Sequence, residues 1–152
     1  MERLNLPVYS FKIKSEKGRK LIYDESRRKY VPLTPEEWVR QNFIRYLVKE
    51  KGMPLSLIAV EPSMKIHGIK KRCDILVFGR GGRPALIVEC KSPSVKVSRE
   101  TFEQIARYNI HIKVSYLVVT NGISHYCCRL DHDKGTCTFL ESIPSYPLVE
   151  EG

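Results

Sequence analysis

The stretch between residues 72 and 91 most constrains how this chain can fold. Two apolar runs, at residues 75–78 and 85–88, flank a glycine-rich turn, which is the pattern of a β-hairpin. Both faces of each run are apolar. The two strands therefore belong in a sheet that is covered on both sides rather than half exposed to water.

Three charged side chains, Asp74, Glu89 and Lys91, lie at one end of this hairpin. If the turn is centred between Gly81 and Gly82, Asp74 faces Glu89 with Cβ atoms roughly 4.5–5.5 Å apart. Two carboxylates this close repel each other and lose hydration unless a cation lies between them. Lys91 points to the same side as Glu89. The pattern predicts a metal site beside an anionic substrate, and the alternative is a structural ion cluster at a strand end.

The length of 152 residues suits one domain with a hydrophobic core. The net charge of +9 favours a polyanionic partner, without choosing between DNA, RNA and an acidic membrane. A charged surface that only keeps the protein soluble is the alternative. The basic residues concentrate in the first third of the chain: Lys12, Lys14, Lys17, Arg19, Lys20, Arg27, Arg28 and Lys29.

The sequence predicts a cytoplasmic protein. Its first residues carry no secretory signal, and no apolar run approaches the roughly 18 residues of a membrane span. The five cysteines are odd in number and show no Cys-x-x-Cys spacing, so we expect reduced thiols and no structural zinc site.

The order of predicted elements indicates an α/β fold with a mixed central sheet flanked by helices. Thr34 and Ser98 are expected to cap two helices, and the connection from Lys91 to Tyr116 is long enough for a parallel return. Strands are predicted near residues 8–14, 55–60, 116–120, 125–130 and 136–140, and a loop through residues 62–68. We expect a single domain over residues 1–152, with a basic β element at about 1–33, a core at about 34–143 and a frayed tail at 144–152.

Asp74, a spacer of fourteen residues, and then Glu89-Cys90-Lys91 resemble the D…ExK signature of the PD-(D/E)XK nuclease superfamily. Together with residues 33–41, 71–75, 102–109 and 119–122, the chain resembles the nuclease-like N-terminal domain of type I restriction enzyme R subunits, in a short standalone form. The resemblance extends from about residue 27 to 146. It implies a restriction-endonuclease-like fold and hydrolysis of DNA with Mg²⁺, for which Mn²⁺ can substitute.

The resemblance also implies roles for individual residues. Asp74 and Glu89 would be metal ligands, Cys90 would add its backbone carbonyl, and Lys91 would be the catalytic lysine. Gln104 and Tyr108 match the Gln-x-x-x-Tyr motif of these nucleases and would belong to the catalytic set. Their spacing places both side chains on one helix face, where the alternative is that they only cover the edge of the core.

Glu36 or Glu37 would be the additional acid that such nucleases carry on their first helix. Glu37 has a local role, since it can close a capping box with Thr34. Glu36 lies three residues before Val39 and seven before Phe43, on the inward stripe. Glu36 is therefore the preferred metal ligand of the two.

Two further patterns narrow the function. Residues 131–135 start like a calcium loop, but the glycine comes one place early and Ser142 stands where a glutamate is needed, so we expect a hairpin turn. The sequence contains no P-loop, and we expect no ATP-driven motor in it. The sequence thus predicts a Mg²⁺-dependent DNA nuclease. The alternative is a non-cleaving module that binds nucleic acid or a partner. The expected partners are DNA and either a second copy of the chain in a homodimer or other restriction-system subunits.

Overall fold

The computed structural model describes residues 1–66, 69–109 and 112–148, and at residues 63–66, 69–72, 108 and 109 it describes the backbone alone. Two helices and eleven strands occur in this part of the chain. In chain order they are β1 Ile13–Glu16, β2 Arg19–Asp24, β3 Lys29–Pro32, α1 Pro35–Lys49, β4 Ile58–Val60, β5 Ser63–Ile66, β6 Ile69–Arg72, β7 Ile75–Phe78, β8 Pro84–Cys90, α2 Arg99–Asn109, β9 Tyr116–Thr120, β10 His125–Asp131 and β11 Thr136–Leu140.

The central sheet has six strands in the order β11-β10-β9-β8-β7-β4. Strands β8 and β9 are parallel, with Glu89 opposite Val119 and Cys90 opposite Thr120, and the other neighbours are antiparallel. The connection through α2 makes this parallel return. The predicted mixed sheet flanked by helices is confirmed.

Each face of the central sheet is covered, as the doubly apolar strands predicted. On one face, Ile75 and Val77 pack in a buried cluster with Val39 and Phe43 of α1. On the other face, the buried cluster contains Leu76, Ile87 and Leu117 together with Phe102 and Ala106 of α2. Burial on both sides gives strands β7, β8 and β9 fixed positions, so the side chains at their ends are held in place.

The register of the β7–β8 hairpin is the predicted one at the end that carries the acids. Ile75 faces Val88, and the same register continued by one residue brings Asp74 opposite Glu89. The turn differs from the prediction, because a bulge between Val77 and Phe78 shifts the pairing so that Phe78 faces Pro84. The turn is centred half a residue earlier than predicted, and one extra residue in β8 at the bulge compensates for this shift.

The two predicted helix caps are present. The Thr34 hydroxyl accepts a hydrogen bond from the Glu37 backbone amide at 3.0 Å, and the Ser98 hydroxyl accepts one from the Thr101 amide at 3.2 Å.

The prediction of one strand over residues 55–60 is wrong in its first half, since Leu55–Leu57 forms a 3₁₀ turn. The predicted loop over residues 62–68 is wrong where it is described, because β5 and β6 pair as an antiparallel hairpin.

Outside the central sheet, strands β1, β2 and β3 form a three-stranded antiparallel sheet.

The tail was expected to fray from Pro144, and this is wrong through Leu148. Leu148 is buried with Ile143 in the cluster under α1, and the Tyr146 amide donates to the Lys51 carbonyl at 2.8 Å. Neither of the described helices combines the length and apolar character that crossing a lipid bilayer requires.

Candidate active site

Asp74 lies just before β7, at the point where the backbone ladder between β7 and β8 ends. Its Oδ2 accepts a hydrogen bond from the Cys90 amide at 2.7 Å, so the carboxylate replaces the strand partner that the amide would otherwise lack. Its Oδ1 accepts a hydrogen bond from Arg40 Nη2 at 2.8 Å. The Asp74 side chain is 15% exposed, so it is mostly buried but still reaches solvent.

Glu89 is partly buried beside Asp74. Burial, and after it the negative charge of Asp74, raises the pKa of Glu89 to about 7, and the positive charge of Lys91 offsets only part of this rise. Lys91 follows β8 directly, and its amide donates to the Thr120 carbonyl at 2.8 Å. The structure thus brings Asp74, Glu89 and Lys91 together at one sheet end, with more negative charge than the surrounding protein stabilises.

Oxygen donors dominate this sheet end, which suits a hard cation such as Mg²⁺. The Cys90 thiol is buried in the core and burial holds its pKa well above the usual range, so the donor that Cys90 can offer is its backbone carbonyl. The negative charge of the acidic pair is only partly offset by Arg40 and Lys91, and a divalent cation would neutralise the rest. Within the described ranges, no three His, Cys, Asp or Glu side chains form a group that could hold a metal ion by themselves.

The expectation that Glu36 lies on the inward stripe of α1 is wrong, because its side chain is 49% exposed. The turn between β2 and β3 brings Arg27 to Glu37, and Glu36 lies on the solvent side. Glu36 nevertheless lies near the acidic pair. Its carboxylate accepts a long hydrogen bond of 3.4 Å from Arg40, and its charge contributes to the raised pKa of Glu89, after burial and Asp74.

The expectation that Glu37 closes a capping box is also wrong. The Thr34 amide donates to the Pro32 carbonyl instead, and the buried Glu37 carboxylate accepts from three side chains. These donors are Arg27 at 2.9 Å, Arg40 at 2.7 Å and Gln41 at 3.1 Å. Two guanidinium groups compete better for this carboxylate than a backbone amide does.

Arg27, Glu37 and Arg40 belong to an ion network that sequence reasoning missed. Arg27 also donates to the buried Asp24 and, at 3.2 Å, to Glu61. Burial alone would raise the pKa of Asp24, but its hydrogen bonds with Arg27 hold that pKa below the usual value. One signal was available: Arg40 lies on the apolar stripe of α1, three residues before Phe43, where a charge needs a buried partner.

Gln104 lies on α2 with its side chain exposed. The backbone of Tyr108 is part of the same helix, but its side chain lies outside the described residues. Gln104 and Tyr108 therefore remain predictions as site residues.

The basic first third of the chain is mostly exposed on the small sheet, but Arg27 is an exception because it belongs to the ion network. Lys12 and Lys14 lie over the rings of Tyr23 and Tyr30, at 5.6 Å and 4.2 Å from the ring centroids.

At the other end of the chain, Asp131 accepts hydrogen bonds from the amides of residues 133 and 134. This is a hairpin turn, as predicted.

The fold and the sheet end described above define a mixed α/β domain with an acidic pair and a lysine at the end of a buried hairpin. Residues 35–144 match the family described as the type I restriction enzyme R protein N terminus. This match covers most of the chain, and the chain belongs to that family.

Among solved structures, the chain is similar to one described as a fragment of an HsdR subunit of a type I restriction enzyme from Vibrio vulnificus YJ016. The two share 22% sequence identity with a TM-score of 0.46, over 70% of this chain and 23% of that one. No curated protein matches the chain. The chain thus spans less than a quarter of the length of the HsdR fragment.

Proposed function

We propose that this chain is a Mg²⁺-dependent deoxyribonuclease of the PD-(D/E)XK type, acting at the end of β7 and β8. One observation carries the proposal: Asp74 and Glu89 face each other beside Lys91, and burial, followed by the negative charge of Asp74, raises the pKa of Glu89 to about 7. Membership of a restriction-subunit family supports DNA as the substrate.

In this proposal each residue has a defined task. Asp74, Glu89 and the Cys90 carbonyl hold the metal ion, and Glu36 supplies a further carboxylate from the solvent side. When bound, Mg²⁺ lowers the pKa of a water molecule and neutralises charge on the phosphate. Lys91 orients the attacking water or stabilises the negative oxygens of the transition state. Gln104 and Tyr108, on one face of α2, complete the catalytic set.

A second candidate function is a module that binds DNA or a protein partner without cleaving. It is favoured by one observation: both oxygens of Asp74 already accept hydrogen bonds, from Arg40 and from the Cys90 amide. Each carboxylate oxygen has about two lone-pair directions, so these bonds leave room for a metal but do not require one. The exposed lysines of the small sheet would serve either function, because they suit a phosphate backbone.

The test is cleavage of supercoiled and linear DNA with Mg²⁺ or Mn²⁺ by the wild-type chain and by Glu89→Ala and Lys91→Ala. We expect each substitution to lower the rate roughly 10²–10³-fold, because Glu89→Ala removes a metal ligand and Lys91→Ala removes positive charge beside the reacting phosphate. Lys134→Ala, in the exposed turn between β10 and β11, is the matched control and should cleave like the wild type.

Two outcomes would count against the nuclease. If both variants still cleave DNA like the wild type, the cleavage does not come from the site formed by Asp74, Glu89 and Lys91. Salt-sensitive DNA binding without turnover in either metal would identify the non-cleaving module instead.

A further inference from the structure

Arg40 is a charged residue in a position where the fold would accept an apolar one. It lies on the stripe of α1 that packs on the central sheet, between Val39 and Phe43 in the helical pattern, and is only 6% exposed. Its guanidinium nevertheless reaches out of the core to Asp74. We propose that Arg40 is a positioning residue that fixes the orientation of the Asp74 carboxylate; as a role in metal binding, this rests on the proposed nuclease function.

The geometry around Asp74 supports this role. Arg40 holds Oδ1 at 2.8 Å while the Cys90 amide holds Oδ2 at 2.7 Å, so the two oxygens are bound from different elements, α1 and β8. Two such bonds leave the carboxylate little freedom to rotate. The remaining lone pairs then have a fixed direction, which is what a metal ligand needs in order to act without reorganisation.

Arg40 is itself held in place. Its Nη1 donates to Glu37 at 2.7 Å and lies 3.2 Å from Glu61, while its Nη2 donates to Asp74. Burial alone would lower the pKa of Arg40, but the hydrogen bond with Asp74 and the charges of Glu37 and Asp74 raise it above the usual value. The guanidinium is thus a permanent charge, and its planar fork links the helix acid to the sheet end.

Stability alone does not account for this arginine. A buried ion network is often no more stable than an apolar replacement of the same volume. Arg40 Nε is also buried and has no hydrogen-bond partner among the described residues, which is a cost that an apolar side chain would not carry. A role in orienting Asp74 explains why a charge stands at this position.

The discriminating variant is Arg40→Lys, measured in the metal-free protein. Lysine keeps the charge but has one terminal nitrogen, so it cannot place separate nitrogens against Glu37 and Asp74 as the two Nη atoms of Arg40 do. The readout is hydrogen exchange of the Cys90 amide by NMR, compared with the Lys91 amide, which donates to Thr120 instead. General destabilisation speeds both amides equally, whereas a loosened Asp74 speeds Cys90 alone.

We expect the exchange of Cys90 relative to Lys91 to become about tenfold faster in Arg40→Lys, with an upfield shift of the Cys90 amide proton. The matched control is Arg45→Lys, since Arg45 lies on the same helix but pairs with Glu25 at 3.1 Å, away from Asp74. It should leave the ratio unchanged. A folded Arg40→Lys with the wild-type ratio and shift overturns the proposal. If this variant does not fold, Arg40→Gln takes its place with the same expected ratio.

A calorimetric titration with Mn²⁺ separates this inference from the proposed function. We expect Arg40→Lys to bind Mn²⁺ about 10–100-fold more weakly than the wild type, as partners of metal ligands commonly show. If the wild type binds no Mn²⁺, the nuclease proposal fails, and the positioning of Asp74 is decided by the Cys90 amide alone. If both chains bind Mn²⁺ equally, Arg40 has no role in the metal site.

Discussion

Two neighbouring groups of acids in this protein are neutralised to different extents. In the ion network, the Glu37 carboxylate is met by Arg27, Arg40 and Gln41. At the sheet end, Glu89 lies beside another carboxylate and is only partly offset by Lys91. In the first group two arginines pair with the buried Glu37, as in a structural ion network. The second keeps an excess of negative charge, which is what a site for a cation requires.

The largest expected effect on stability is at Glu37. Glu37→Gln leaves the guanidinium groups of Arg27 and Arg40 close together without the acid between them, and we expect a loss of about 3–5 kcal/mol in the free energy of unfolding. Urea denaturation measures this loss. A loss below about 1 kcal/mol would show that the network is not neutralised through Glu37, and the contrast with the sheet end would fail.

A smaller effect of opposite sign is expected at Glu89. The pKa of Glu89 in the folded state is about 7, above the value of an exposed glutamate, so the folded state binds this proton more tightly than the unfolded state. The wild type therefore loses stability as the pH rises from the ordinary glutamate pKa of about 4.3 to about 7. Glu89→Gln should be more stable than the wild type by about 1–3 kcal/mol at pH 8 and nearly equal to it at pH 4.5.

Thermal unfolding in the presence of a chelator, across that pH range, checks this expectation. Added Mg²⁺ should reduce the difference at pH 8, because it stabilises only the chain that keeps both carboxylates. Equal melting temperatures at every pH would mean that Glu89 is already compensated.

The smallest effect is expected at Glu61, which contacts Arg27 and Arg40 but is 39% exposed. Because water screens an exposed pair, Glu61→Gln should cost less than about 1 kcal/mol by urea denaturation. This variant is the matched control for Glu37→Gln, since both remove an acid from the same network. A cost equal to that of Glu37→Gln would show that burial is not what distinguishes the two.

Much of the fold could be predicted because the sequence carries local signals for it. The glycine-rich turn gave the register that sets Asp74 opposite Glu89, although this register holds only because the bulge offsets the displaced turn. Thr34 and Ser98 marked the helix starts. The β5–β6 hairpin was not predicted because its two strands carry only three apolar residues, Met64, Ile66 and Ile69, among basic ones.

The charge network could not be predicted in the same way. The partners of Arg40 lie three residues away, at Glu37, and thirty-four residues away, at Asp74. The stripe of α1 shows that Arg40 points inward, but only the packing of α1 on the sheet shows which acid it meets. For the same reason, periodicity placed Glu36 inward without accounting for Arg27, which arrives from a separate sheet.

The part of the chain that matches the family is smaller than the part that forms its core. The match begins at residue 35, yet Arg27 precedes it, and Leu4 and Leu6 pack against the cluster under α1. At the other end, the match stops at residue 144 while Leu148 is buried. An expression clone trimmed to the matched boundaries would remove one of the two cations on Glu37 and uncover apolar surface, so such a fragment should aggregate where the longer chain does not.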